Sequence, residues 1–347
     1  MEQRVGFVRV AGSRVAYATS GNGPALVLPP ASFGHLDLEL DSPQRRAFFE
    51  VLASSFTLVR YDRLGAGLSD RIRGAETFTL EFEVDVVEAL FDELALARAT
   101  LFGFSYGAVV AAAFAARRPE RLKRLLLFGA YPDTAPLSSP ALLGPMSSVL
   151  RADWALGSRL LTAAFLPDAD PKQASLNARA WRESTSGDTA ASLLELWAAT
   201  DLRDLLAEVK APTLVLHRRD DQVVPPRLGR ALAALVPGAR FQELEGRWHQ
   251  PWFGDADAVL RAVGAFLGFT PPRPAGPEVA DVMEVDLTLR EREVLRLVAD
   301  GLDDAAIARR LVISAHTVHR HMANIRARLR QPSRAAAVAL AARHGLI

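Results

Sequence analysis

The chain predicts an α/β domain, built on a mostly parallel sheet with a helical insertion, followed by a small all-α domain. Three observations carry this. From residue 25 to 128, short apolar runs rich in β-branched side chains alternate with amphipathic stretches of helical period, the rhythm of strands joined by crossover helices. Between 133 and 208 that rhythm gives way to Ala- and Leu-rich helical sequence punctuated by proline, and strands resume afterwards. Residues 270–277 then read Thr-Pro-Pro-Arg-Pro-Ala-Gly-Pro, with four prolines in eight positions, which continue neither helix nor sheet and make a semi-rigid spacer. The expected boundaries are 1–269 for the first domain, 270–283 for the linker and 284–347 for the second domain. A chain of 347 residues accommodates one large core and one small one.

In chain order, residues 5–19 alternate in two runs about Gly12-Ser13, as a β-hairpin does. Residues 25–28 and 56–60 read as buried strands, and between them Ser42-Pro43 opens a helix through RRAFFEVLASS. Residues 81–94 form an amphipathic helix, 99–104 a strand, 108–117 a helix and 122–128 a strand. Beyond the insertion, strands at 213–217 and 240–245 flank a helix at 228–235. A helical insertion at 133–208 in a parallel-sheet domain has the form of a lid. Its Trp154, Phe165, Trp181 and Trp197 suit either a helical core or an apolar ligand pocket.

Hydrophobic residues make up 50% and charged residues 23% of the chain, the balance of an ordinary globular protein. The absence of cysteine removes disulfides and thiolate metal sites, and no motif calls for a metal or a cofactor. The first residues, MEQRVGFVRV, lack the apolar core of a signal peptide, and no apolar run approaches the roughly 18 residues of a membrane span. The expectation is a cytoplasmic protein without membrane contact. Lys and Arg total 41 against 40 Asp and Glu, but the charge is unevenly placed. Residues 305–347 hold eight arginines and no acid, which leaves 33 basic against 40 acidic residues before them. A cationic arm on an anionic body points to a polyanionic partner, most simply nucleic acid.

Gly103-Phe-Ser105-Tyr-Gly107 closes a strand and opens a helix. A sharp turn there lifts the Ser105 hydroxyl out of the sheet, and the glycines remove Cβ atoms that would clash. The helix N-terminus aims its N–H groups at the place where negative charge develops in acyl transfer. A serine hydroxyl needs a base to take its proton, and the base needs a third group to orient it. His217-Arg-Arg-Asp220-Asp221-Gln-Val-Val-Pro225 follows one late strand and Gly246-Arg-Trp-His249-Gln-Pro-Trp252 follows the last. The order is serine, acid, histidine.

On these motifs, together with Tyr61-Asp-Arg-Leu-Gly-Ala-Gly-Leu-Ser-Asp70, residues 1–269 resemble the α/β-hydrolase superfamily. The resemblance implies an α/β-hydrolase fold with a helical lid. It puts the nucleophile on Ser105, the base on His249 and the acid on Asp221, with Asp220 as the rival, and makes Asp62 a loop brace. The oxyanion hole falls on the backbone N–H of Tyr106 and a second N–H near Ser32. One departure is that Pro29-Pro30 stands where family members often have His-Gly. Phe33, His35 and Trp248 are the candidate ligand contacts.

In the second domain, Thr288 and Glu291 form a capping box before an amphipathic helix that Gly301 ends. Asp303 and Asp304 start a helix over 305–311, residues 312–314 make a tight connection, and Ser314 caps a helix to about 329. Two helices joined this way form a helix-turn-helix, whose second helix reads the major groove. An apolar helix at 334–344 remains for packing or pairing. The run TLREREVLRLVADGL, IARRLVISAHTVHRHMANIRARL, SRAAAVALA closely resembles the LuxR-type helix-turn-helix. By position, the resemblance puts base reading on His319, Arg320 and Ala323, and phosphate contacts on Thr317, Arg309, Arg326 and Arg328. His319 and Ala323 depart from the Lys or Arg common there, which makes Arg320 the strongest base reader, by bidentate pairing with guanine. The family's last helix commonly dimerises, implying a homodimer through 334–346.

The fusion implies a DNA-binding transcription regulator whose hydrolase domain binds, and can hydrolyse, a small, mostly apolar ester-, lactone- or amide-like ligand. Two other readings stand beside it. One is a serine esterase that its DNA-binding tail only localises, and the other is a receptor on a hydrolase fold that turns nothing over.

Overall fold

The computed structural model describes residues 2–71, 79–134, 140–272, 287–329, 331 and 333–343. The chain divides into two compact units, 1–274 and 275–347. The linker expected at 270–283 lies outside the described residues from 273 onward.

The first unit is organised by one eight-stranded sheet. Its strands are β1 (Arg4–Val10), β2 (Ser13–Ser20), β3 (Ala25–Leu28), β4 (Thr57–Tyr61), β5 (Ala99–Phe104), β6 (Leu122–Phe128), β7 (Thr213–Arg218) and β8 (Arg240–Leu244), in the order β1-β2-β4-β3-β5-β6-β7-β8. The β1–β2 and β2–β4 pairs are antiparallel, and every pair from β4 to β8 is parallel. The hairpin turns one residue earlier than expected, at Ala11-Gly12, both with positive φ, because Ser13 is already paired with Val10.

Side chains alternate across the sheet and divide the core in two. Leu125 and Leu127 join one apolar cluster with α2 (Leu80–Glu93), α3 (Tyr106–Arg117) and α9 (Pro226–Leu235). Leu126 and Phe128 join the other with α1 (Pro43–Ala53) and α10 (Ala256–Leu267). Helix α10 is absent from the expected elements, although its signals are in the sequence. Asp255 caps its start by accepting from the Ala258 N–H, and Gly268 ends it at φ +82°.

The insertion folds into α4 (Pro140–Ala152), α5 (Trp154–Phe165), α6 (Pro171–Ser184), α7 (Gly187–Ala199) and the short α8 (Arg203–Leu206). It is tied down on two sides. Gly67 N–H donates to the Ser184 carbonyl at 2.8 Å and the Thr185 hydroxyl to the Gly65 carbonyl at 2.8 Å. On the other side Gln250 Nε2 donates to the Phe165 carbonyl at 2.8 Å and Arg247 pairs with Asp168.

The second unit contains α11 (Leu289–Ala299), α12 (Asp304–Leu311), α13 (Ala315–Arg328) and α14 (Arg334–Arg343). The Thr288–Glu291 capping box is present in both directions, and Asp303 and Ser314 cap α12 and α13. The turn between α12 and α13 passes through Val312 at φ 54°, a conformation costly for a β-branched residue. It is held by Ile313 N–H donating back to the Ala308 carbonyl. Val318, Met322, Ile325 and Leu329 form the buried stripe of α13 and its end. Ala337 and Ala341 of α14 are buried in the same core, so part of this helix's apolar face packs within its own unit.

Candidate functional site

Ser105 stands between β5 and α3 at φ 52°, ψ −126°, a backbone state that L-residues rarely hold outside functional turns. The turn is enforced from both sides. A Cβ at Gly103 would run into the Ala108 backbone, and one at Gly107 would run into the Pro29 carbonyl. Ser105 N–H donates to the Phe128 carbonyl at 2.9 Å, fastening the turn to the end of β6. Ser105 is the cap residue of α3, so the first turn of that helix starts beside it, with Ala108 N–H donating to the Ser105 carbonyl at 2.9 Å.

The acid and the histidine come from the loops after β7 and β8. Asp221 Oδ2 lies 2.7 Å from His249 Nδ1. Its Oδ1 accepts from Val223 and Val224 N–H at 2.9 and 3.0 Å. Burial opposes the Asp221 charge, but the His249 ring, hydrogen bonds from His217 and His249, and the Val224 N–H outweigh it and hold the carboxyl well below the usual range. Asp220 is exposed and does not reach the ring; its own N–H donates to the Gly246 carbonyl. His249 packs on Phe104, ring centroids 5.2 Å apart, and against Gly129, where a Cβ would approach its Cε1 to 2.8 Å. The ring thus sits beside residues 104 and 129, the immediate neighbours of Ser105 and of its acceptor Phe128. His249 Nε2 is buried without a hydrogen-bond partner.

Three supporting side chains carried no assigned role in the sequence reading. Arg218, fully buried at the end of β7, donates to the carbonyls of Glu245, Phe253 and Asp255 at 3.0, 2.7 and 3.1 Å. It clamps both ends of the loop that carries His249. His217 Nε2 lies 2.7 Å from the Val224 carbonyl, to which it donates, and 3.4 Å from Asp221 Oδ2. Arg63 pairs with Glu83 at 2.8 Å, donates to the Pro30 carbonyl at 2.8 Å and lies over the Tyr106 ring, linking the loop after β3 to the start of α3. Their only sequence signal was position, directly at or after strand ends.

Of the expected ligand contacts, Phe33 is buried and joins the lid aromatics. It stacks on Trp197 at 5.6 Å and meets Trp154 and Trp181 edge-on. Ser32, half-buried, precedes it. His35 is engaged in its own turn, Nδ1 accepting from Asp37 N–H at 3.2 Å. Trp248 packs on Phe253 and beside Gly254, on the Arg218 side of its loop. Asp62 accepts from Leu68 N–H at 2.8 Å as a loop brace, and burial pushes its carboxyl up to about 7 against that bond. Among the described residues, no group of three or more His, Asp or Glu side chains is arranged to hold a metal ion.

In the second unit, His319, Arg320 and Ala323 lie together on the exposed side of α13, and Arg309 is exposed on α12. The Thr317 hydroxyl pairs with Ser314 at 2.8 Å, inside the helix cap. Arg326 is exposed, whereas Arg328 also reaches Glu291 at 3.1 Å and so braces α13 against α11. His319 Nδ1 lies 3.9 Å from Asp304. Residues 344–346 of the expected pairing segment lie outside the described residues.

Comparison with known proteins matches both units. The alpha/beta hydrolase fold family matches residues 24–250, and the family of bacterial regulatory proteins of the luxR type matches 285–341. Pyrrolizixenacetamide deacetylase of Xenorhabdus hominickii is 27% identical over 242 residues, covering 68% of this chain and 88% of that protein. Pimeloyl-[acyl-carrier protein] methyl ester esterase of Neisseria meningitidis serogroup A is 28% identical over 221 residues, 59% of this chain and 67% of its own. The crystal structure of the enol-lactonase from Burkholderia xenovorans LB400 superposes with a TM-score of 0.65 at 29% identity, over 76% of this chain and all of that one. Among the described residues no helix is long and apolar enough to cross a membrane. The chain belongs to the α/β-hydrolase fold family and carries a LuxR-type DNA-binding domain at its C-terminal end.

Proposed function

We propose that this protein is a DNA-binding transcription regulator whose hydrolase domain binds and hydrolyses a small, mostly apolar ester, lactone or amide. The observation that carries the reading is the 2.7 Å Asp221–His249 contact beside a strained Ser105, in one chain with a LuxR-type domain. Ser105 Oγ attacks the ligand carbonyl as His249 Nε2 takes its proton, and Asp221 holds the ring and stabilises its charge. The tetrahedral oxyanion is met by Tyr106 N–H and by a backbone N–H of the loop near Ser32. The proton then passes from His249 to the leaving oxygen or nitrogen; water, deprotonated by His249, adds to the acyl carbonyl, and the acid departs as His249 returns that proton to Ser105 Oγ. The names of the relatives, a deacetylase, a methyl ester esterase and an enol-lactonase, support a carbonyl substrate. The DNA-binding domain pairs with a second copy through 334–346 and presents Arg320 to the major groove.

Short p-nitrophenyl esters test the chemistry. Wild type is expected to turn over at least one of them, and Ser105→Ala to lose about a thousandfold or more of that rate. Equal rates in the two proteins would remove the catalytic assignment and leave a receptor. The same esters, added to a promoter-DNA binding assay with Ser105→Ala protein, test the sensor. An affinity indifferent to every ester would favour the esterase with a localising tail.

A further inference from the structure

The geometry points to Trp197 as the polar anchor of ligand recognition, its indole N–H donating to an oxygen carried within the apolar acyl group of the ligand. This rests on the ligand-binding reading above. Trp197 lies on α7 of the insertion, and its ring touches a neighbour of each proposed site segment. It stacks on Phe33, which follows Ser32, at 5.6 Å and 22°. It lies 5.6 Å from Tyr106, which follows Ser105. It meets Phe165 edge-on at 6.2 Å, and the Phe165 carbonyl accepts from Gln250, the neighbour of His249.

The Trp197 side chain is 7% exposed, yet its Nε1 has no hydrogen-bond partner. Trp154 in the same cluster is satisfied, donating to the Thr185 carbonyl at 2.9 Å. A buried unpaired N–H costs free energy, and natural cores rarely keep one without use. The surrounding rings of Phe33 and Phe165 offer no acceptor oxygen, and the Tyr106 hydroxyl is already 3.4 Å from Thr200 Oγ1. Trp252 Nε1 is also unpaired, but that ring lies beneath Arg45 among Phe48 and Phe49, in the core on the other face of the sheet. Aromatic walls around a buried, unpaired donor select an apolar group bearing an ether or carbonyl oxygen.

The test uses p-nitrophenyl butyrate and p-nitrophenyl methoxyacetate, which differ by one CH2 replaced by oxygen in the acyl chain. The methoxyacetate-to-butyrate ratio of kcat/KM is compared between wild type and Trp197→Phe, so that intrinsic ester reactivity cancels. The ratio is expected to fall about tenfold in the variant, whatever the change in butyrate turnover itself. An unchanged ratio overturns the assignment and leaves Trp197 a packing residue. Should Trp197→Phe not fold, wild type is titrated with methoxyacetone and with 2-pentanone while the indole N–H signals of its five tryptophans are followed. Only methoxyacetone should shift the Trp197 signal, which is recognised by its contacts to the Tyr106 ring; a shift with both ketones, or binding of methoxyacetone without that shift, overturns it. If wild type neither cleaves the esters nor binds the ketones, the ligand-binding reading itself falls, and this inference with it.

Discussion

Asp221 and Asp220 are adjacent, carry the same side chain and both follow a strand, yet only Asp221 meets the histidine ring. The difference comes from the backbone: residues 223 and 224 turn back so that their N–H groups hold one Asp221 oxygen and leave the other for His249. On the proposed mechanism, Asp221→Asn leaves this geometry nearly intact but favours the wrong ring tautomer, and kcat should fall by roughly a thousand- to ten-thousandfold. The same residue contributes to stability. Its carboxyl is held below the unfolded value, so its contribution is fully present above about pH 4 and is lost as pH falls further. Thermal melts of Asp221→Asn should therefore show a flatter acid limb than wild type. Retained turnover together with an unchanged acid limb would contradict both roles.

At the scale of elements, the strand-to-helix turn at 103–107 and the loop after β3 are one packed object. Gly107 leaves space for the Pro29 carbonyl, and Arg63 takes the Pro30 carbonyl beside it. Gly107→Ala should cost roughly 1–3 kcal/mol in stability, read as a lower melting temperature, because backbone on one side must move. It should also depress ester turnover more than stability alone accounts for, since the moving loop carries the proposed second oxyanion donor. A variant with wild-type turnover would place that donor elsewhere. Elements were legible in the sequence where period and cap agreed. The capping box at Thr288 and the Ser314 cap mark the starts of α11 and α13, and β3, β5 and β6 have the expected bounds. Helix α10 lies outside the expected elements although Asp255 and Gly268 bracket it.

Across the whole molecule, charge is divided along the chain: eight arginines and no acid over 305–347, and an acidic excess before. DNA binding by the full chain should weaken steeply with salt as arginine–phosphate contacts release counterions. Arg309→Ala should weaken all sequences alike and lower the salt slope by about 1, while Arg320→Ala should cost about 1–3 kcal/mol at its base pair and relax specificity there. Arg328→Ala should differ from both, because Arg328 holds Glu291 at 3.1 Å and its loss should also lower the melting temperature of the second unit. Binding curves across a salt series, with melts of each variant, check all three. A flat salt response would contradict the DNA-facing role of these side chains.

The α/β and helix-turn-helix classes, the serine turn and the histidine loop are all written in the amino-acid order, because period, caps and glycine spacing are local and leave local marks. It took the folded chain to show which aspartate meets His249, that Arg218 clamps the loop carrying that histidine, and that Arg63 binds the loop after β3 to the start of α3. It likewise turned Trp248 and His35 to local packing and gathered Phe33 with Trp154, Trp181 and Trp197. Those outcomes depend on contacts between segments far apart in the chain, and on the directions in which loops leave their strands. Neither has a period that a sequence can display.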